Sequence, residues 1–281
     1  MRLPLPPLRE AREAVDLLVH ALRGESGEDE WGFDAGYVSA ARPALDFLYD
    51  RWWRVVATGT EHVPTAGRAL VVANHAGVVP WGASMMAHAV RRGGRRADPR
   101  FLVLDWAFGL PWASVAIRRF GGVPASPYNA LRLLDQDHLV MVFPEGAKGV
   151  GKPWSERYRL QRFGRGGFVE LALRSGAPIV PCAVVGSEEI YPKIGEIPGV
   201  ARIVGAPYMP LTPTFPLLGP LGAIPLPSRW RIEFGQPLDL TGYGPEAADD
   251  RRTVLELADD IRDRIQTMVY DNLTRREGAF L

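Results

Sequence analysis

Two short stretches carry residues able to move a proton or hold an anion. The first is Asn74-His75, which ends the apolar run Val71-Val72-Ala73 and is followed by a Gly-containing loop and a helix start near Pro80. An imidazole titrates near neutrality, so a histidine at the open end of a strand is a place for a general base. The same position equally suits a histidine that only caps the strand. The second stretch is Phe143-Pro144-Glu145-Gly146, followed by a loop from Lys148 to Arg165. That loop sets six cations (Lys148, Lys152, Arg157, Arg159, Arg162 and Arg165) against the single acid Glu156, and Gly149, Gly151, Gly164 and Gly166 keep its backbone open. Such a loop either grips phosphates with its cations and backbone N–H groups or is a solvated basic loop.

These residues need a frame that brings them together. Extended, β-branched runs at residues 54–59, 69–73, 101–104, 122–125, 139–143, 179–185 and 230–234 read as strands. Helical spacing marks 82–92, 110–119, 129–134, 168–174 and a long C-terminal helix from Pro245 to about residue 273. The alternation predicts an α/β fold with a mixed, largely parallel sheet flanked by helices. Ligands in such folds gather at the carboxyl ends of the strands. His75 and Glu145 each follow such an end, which puts them on one rim.

Ahead of this frame the pattern predicts a helix over 8–23, an acidic mobile linker over 24–30, and a second helix over 35–53 in which Pro43 marks a break or a restart. The chain thus divides into an N-terminal helical segment, residues 1–50, and an α/β domain, residues 51–281. The Trp52-Trp53 pair either covers the sheet or sits at a membrane interface, where indole rings are favoured.

The 281 residues suffice for a substantial core, and the net charge of +1 offers no global attraction for nucleic acid. The one cysteine, Cys182, excludes an intrachain disulfide and a cysteine-based metal site, fits a reducing compartment, and reads as a buried small hydrophobe. The histidines are scattered, so no zinc cluster is expected, and no dinucleotide fingerprint, phosphate-loop motif or nucleophile elbow is present. Residues 1–8 are too short and broken for a signal peptide, and no run reaches the roughly 18–20 apolar residues of a transmembrane helix. The stretch from Ile203 to Ser228 has no charged residue and seven prolines. It is either a lipid-contacting loop or a rigid arm packed on the sheet.

Asn74-His75 followed about seventy residues later by Phe-Pro-Glu-Gly resembles the glycerolipid acyltransferase family, the lysophosphatidic-acid-acyltransferase-like enzymes. Gly121-Gly122-Val123-Pro124-Ala125-Ser126 resembles the family's second block, and Ile179 to Gly186 its fourth. The resemblance covers roughly residues 50–240. It implies transfer of a fatty acyl group from acyl-CoA or acyl carrier protein to a lipid hydroxyl at a membrane, without metal or redox cofactor. Under it, His75 takes the acceptor's proton, and Glu145 orients the acceptor, with Gly146 allowing close approach. Asn74 belongs to the first block; Gly122 and Ser126 belong to the acceptor pocket. Lys148, Lys152, Arg157 and Arg159 hold the carrier's phosphates. The expected location is cytoplasmic, peripheral at the inner face of the membrane through Ile203–Ser228.

Two departures stand out. The family's Asp five residues after the His is here Pro80, and Gly82 fills the alternative slot; no acid occurs between His75 and Asp98. Loss of the orienting carboxylate from a serine-protease triad costs about 10⁴ in rate. Either a distant acid such as Asp105 reaches His75, or the chemistry needs less from its base, or the protein is a catalytically impaired lipid- or acyl-binding protein on the same fold. A hydrolase using water as acceptor is a further reading. Second, relatives acting on lysophosphatidate carry an Arg in the second block, where this chain has Ala125-Ser126-Pro127-Tyr128. The expected acceptor is therefore not a lysophosphatidate but a neutral or differently charged alcohol or amine.

Overall fold

A computed structural model describes residues 27–75, 81–109, 111–146, 149, 152–196 and 210–280. The predicted helix over 8–23, Lys148 and residues 203–209 lie outside them. The described chain begins with helix α1 (Ala35–Phe47), capped by the Asp34 carboxylate and continued by a wider turn, Leu48–Trp52. Pro43 lies inside α1 without ending it.

Nine strands follow among the described residues. β1 (Val56–Thr58), β2 (Ala69–Ala73), β3 (Arg100–Val103), β4 (Gly122–Pro124), β5 (Leu139–Val142), β6 (Ile179–Val185) and β9 (Arg231–Phe234) form one sheet in the order β1-β9-β6-β2-β5-β3-β4. β7 (Gly195–Glu196) and β8 (Pro210–Leu211) form a separate antiparallel pair. β6, β2, β5, β3 and β4 run parallel, while β9 is antiparallel to β6. The expected mixed, largely parallel sheet is therefore present, with β2 at its centre.

Both faces of that sheet are covered, which is why β2 and β6 read as unbroken apolar runs. Leu70 and Val72 of β2 point into a core shared with α4 (Pro127–Asp135), α5 (Gly167–Ser175) and the C-terminal α6 (Arg251–Thr274). Ala69, Val71 and Ala73 point into the other core, with Met85 and Met86 of α2 (Trp81–Arg92) and the Trp53–Trp230 stack. Trp53 is fully buried, so it covers the sheet; it does not face a membrane. A further helix, α3 (Pro111–Arg119), meets α1 where Tyr37 packs edge-on against Phe120. Among the described residues no helix is long and apolar enough to cross a membrane.

The acidic segment expected to be a mobile linker is instead fastened in its described part. Glu28, Asp29 and Glu30 pair with Arg119 of α3, Arg100 of β3 and Arg132 of α4. Three arginines far apart in sequence meet three consecutive acids, which local composition cannot reveal.

The described part of the charge-free stretch, residues 210–228, is held down at one end and exposed in its middle. Its far end is held down, with the Trp52 and Trp53 indole N–H groups donating to the carbonyls of Pro225 and Leu226. Its middle projects: Leu217 is 82% exposed and Leu221 66%, with Leu218 and Ile224 also exposed.

Candidate active site

The parallel ladder itself brings the two motifs together. In the β2–β5 register Leu70 faces Val140 and Val72 faces Val142, an offset of seventy. Continued past the strand ends, that offset sets His75 opposite Glu145. The backbone N–H of His75 donates to Glu145 Oε1 at 2.8 Å.

Asn74 fixes the other side of β2. Its Oδ1 accepts from the Val184 N–H at 2.7 Å and its Nδ2 donates to the Val184 carbonyl at 2.9 Å. The side chain thus mimics one more backbone pairing to β6, and the chain is held on both sides just where the imidazole leaves the sheet. The His75 ring lies 5.0 Å from the Phe143 ring, centroid to centroid.

The Glu145 carboxylate is sealed, with 0% of its side chain exposed. Besides His75 it accepts the Gln161 N–H at Oε2 (2.7 Å), where it also meets Lys152 Nζ at 3.2 Å. Lys152 is paired in turn with Glu188 Oε1 at 2.8 Å, and Glu188 Oε2 accepts the Tyr158 N–H at 2.6 Å. Burial pulls the Lys152 ammonium down, but Glu188 and Glu145 outweigh it and leave its pKa above the ordinary lysine value. Burial pushes Glu188 up, and Lys152 only partly reverses this. Behind this triad Tyr158 Oη donates to Glu189, which also binds Arg276. Burial, reinforced by Glu189, keeps the Tyr158 phenol protonated.

His75 opens onto a cavity of about 370 Å³. Asn74, Ser126, Gly146 and Ser187 share its lining, and its walls are mostly apolar: Phe101, Leu102, Val103, Leu131, Val142, Phe143, Phe168 and Leu171. Among the described residues the arginines on this lining are Arg165 and Arg174. Arg174 is paired with Asp249 at 2.5 Å. Of the other described histidines, His62, His88 and His138 bond the Phe234 carbonyl, Asp46 and Asp98, and none lines the cavity. Cys182 is buried, and burial raises its thiol well above the ordinary range, as befits a core residue.

The expected site residues therefore separate. His75, Asn74, Ser126 and Gly146 meet at the cavity. The assignments of Glu145, Lys152, Gly122 and Asp105 need correction, and those of Arg157 and Arg159 are left outside the cavity. Glu145 cannot reach an acceptor, because protein donors enclose its carboxylate. Lys152 is spent in a buried triad and cannot hold a carrier's phosphates. Arg157 lies over the Trp154 ring, 4.3 Å from its centroid, and Arg159 is exposed; neither lines the cavity. Gly122 is a packing glycine, since a Cβ there would stand 2.4 Å from Ile117 Cγ2. Asp105 is exposed and makes no hydrogen bond or ion pair among the described residues, so it does not pair with His75.

Sequence reasoning misses Glu188 and Ser187, although a signal exists: they follow Gly186 at the carboxyl end of β6, the same rim as His75 and Glu145.

A family model described as Acyltransferase matches residues 54–185. An uncharacterized protein of Mycobacterium tuberculosis is 48% identical over 261 residues, covering 92% of this chain and 73% of that one. A Mycobacterium leprae protein is 47% identical over 280 residues, covering 99% and 76%. Phytyl ester synthase 1 of the Arabidopsis thaliana chloroplast is 27% identical over 212 residues, or 68% of this chain and 28% of that one. The crystal structure of the 1-acyl-sn-glycerophosphate acyltransferase PlsC from Thermotoga maritima superposes with a TM-score of 0.56 over 96% of this chain and 98% of that chain. At 17% identity that likeness is one of fold. With the histidine on its rim, the clamped Glu145 and the apolar cavity beside them, the chain belongs to the acyltransferase family, on the fold that PlsC also has.

Proposed function

We propose that this protein moves a fatty acyl group from an acyl thioester to a neutral lipid alcohol, with His75 as general base. The carrying observation is His75 at the lip of an apolar cavity, its N–H held by Glu145 while the preceding Asn74 side chain is fastened to β6. The imidazole takes the hydroxyl proton as the acceptor oxygen attacks the thioester carbonyl. The tetrahedral intermediate then collapses, the C–S bond breaks, and the departing sulfur takes the proton from the imidazolium. A thiol has a pKa near about 8.5, so a thiolate leaves without much help. That eases the demand on the base and suits a site in which Asp105 does not orient the ring. Arg165, exposed on the cavity lining, suits the phosphate of a pantetheine-bearing carrier, either acyl-CoA or acyl carrier protein.

For the acceptor, the second block lacks a cation, and Ser126 Oγ accepts the Asn129 N–H as a helix cap at 3.1 Å. The relative named phytyl ester synthase makes an ester of a long-chain alcohol, which supports an acceptor without phosphate. Release of CoA from a long-chain acyl-CoA is expected with monoacylglycerol, diacylglycerol or a long-chain alcohol, and much more slowly with lysophosphatidate. The reverse preference defeats the neutral-acceptor reading. The absent motif carboxylate favours a second reading, a silent lipid-binding protein; no turnover with any acceptor, alongside acyl-CoA binding, would establish it.

In this proposal the protein works peripherally at the cytoplasmic face of a membrane. The projecting leucines carry it: co-sedimentation with phosphatidylcholine–phosphatidylglycerol liposomes should fall several-fold for Leu217→Ser/Leu221→Ser. Undiminished binding of the folded double variant removes this loop from the membrane contact.

A further inference from the structure

We infer that Lys152 is a positioning residue of the acyl transfer: seated by Glu188, it holds the buried Glu145 in the ionised form that anchors the backbone of His75. This rests on His75 being the base. The three charges form a chain, with Lys152 Nζ 3.2 Å from Glu145 and 2.8 Å from Glu188. All three side chains are almost wholly buried.

A carboxylate without exposure stays ionised only when paired. Its charge matters here because each oxygen already accepts a backbone N–H, from His75 and from Gln161. A neutral carboxyl spends one oxygen as an O–H and accepts less well there, so protonation of Glu145 weakens one of these two anchors. Among the described residues the titratable groups facing Glu145 are Lys152, Glu188 and His75 itself, with the Tyr158–Glu189–Arg276 set behind them. Lys152 is thus the cation that offsets two carboxylates. Remove it, and Glu145 and Glu188 face each other in a dry site, where one must take a proton.

The role is read from pH dependence. In the parent, the imidazole alone sets the acid limb of kcat. In Lys152→Met the ionisation of Glu145 also becomes limiting, and the limb moves to higher pH by at least about one unit. Near pH 6.5, kcat then falls by about 10²-fold, the scale of a slightly misplaced catalytic group. KM changes little, and kcat recovers as pH rises through the displaced limb. Lys152→Met/Glu188→Gln carries one fewer buried charge and should show a smaller displacement. It serves as the measure if the single variant does not fold.

A second readout is independent of turnover. The ¹⁵N-labelled His75 amide resonance should show an added titration step in the variant, displaced in the same direction as the limb. If kcat falls equally at every pH from 6 to 9, or the resonance shows no added step, Lys152 is only a packing element and the inference fails. If His75→Ala turns over like the parent, His75 is not the base, yet the amide titration still reports whether Lys152 keeps Glu145 charged.

Discussion

His75→Ala is expected to lower kcat by about 10²–10⁴-fold, the usual contribution of a positioned general base, while KM changes little. The imidazole would contact the hydroxyl that loses its proton, whereas most of the substrate's binding area would come from the apolar walls of the cavity. Truncation removes a group that acts in the transition state and leaves ground-state binding nearly intact. The anchoring hydrogen bond to Glu145 comes from the backbone of residue 75, so alanine keeps it and the fold should be undisturbed. The measurement is CoA release at saturating acyl-CoA, with unfolding curves for both proteins. Equal kcat in folded parent and variant takes His75 out of the chemistry. Against a serine protease, the loss should sit toward the lower end of the range, since the leaving thiolate needs little protonation.

Asn74→Ala should cost stability before it costs chemistry. Its side chain satisfies both the N–H and the carbonyl of Val184, and Asn74 is buried. Truncation leaves two buried backbone groups without partners, at about 1–3 kcal/mol each, so a total loss of about 2–6 kcal/mol is expected. Urea unfolding of parent and variant measures it; a loss under about 1 kcal/mol means that water replaces the amide.

Asn74→Asp separates the two bonds. An ionised carboxylate accepts from the Val184 N–H but meets the Val184 carbonyl without a donor, whereas a protonated one restores both bonds. Folding should therefore raise the pKa of the introduced carboxyl above its unfolded value near about 3.9. Its favourable contribution is complete below that value and is lost as pH rises through the raised folded-state pKa. The variant should gain on the parent as pH falls.

The parts of this architecture that show in the sequence are those decided by local pattern. β2 and β6 can be bounded to the residue because each is a buried apolar run closed by polar or glycine punctuation. The C-terminal helix starts six residues later than its proline suggests: Pro245 opens a separate 3-10 turn, and the cap of the long helix is Asp250, whose carboxylate accepts the Arg252 N–H. Likewise the rim can be read, since it needs only strand ends.

What stays hidden depends on partners remote in sequence. The loop after Glu145 looks like a phosphate grip because its cations can be counted, but Lys152 is claimed by Glu188, thirty-six residues on. Glu145 looks like a substrate ligand because its type and place suit one; its enclosure by the amides of His75 and Gln161 is a tertiary fact. Asp105 is a plausible acid by chain position, yet the turn beginning at Asp105 exposes it while Trp106 and Ala107 face the cavity.

Because Leu70 pairs with Val140 and His75 thereby meets Glu145, the two motifs are joined by sheet alignment and not by the length of chain between them. Insertions in the loop that links α2 to β3, which does not line the cavity, should be tolerated at modest cost, since lengthening a surface connection adds little closure entropy. A single-residue deletion within β2 is a different event: it turns every following side chain to the opposite face and withdraws the imidazole from its partner. Engineered length variants of this protein should therefore sort by where they fall and hardly at all by how many residues they add.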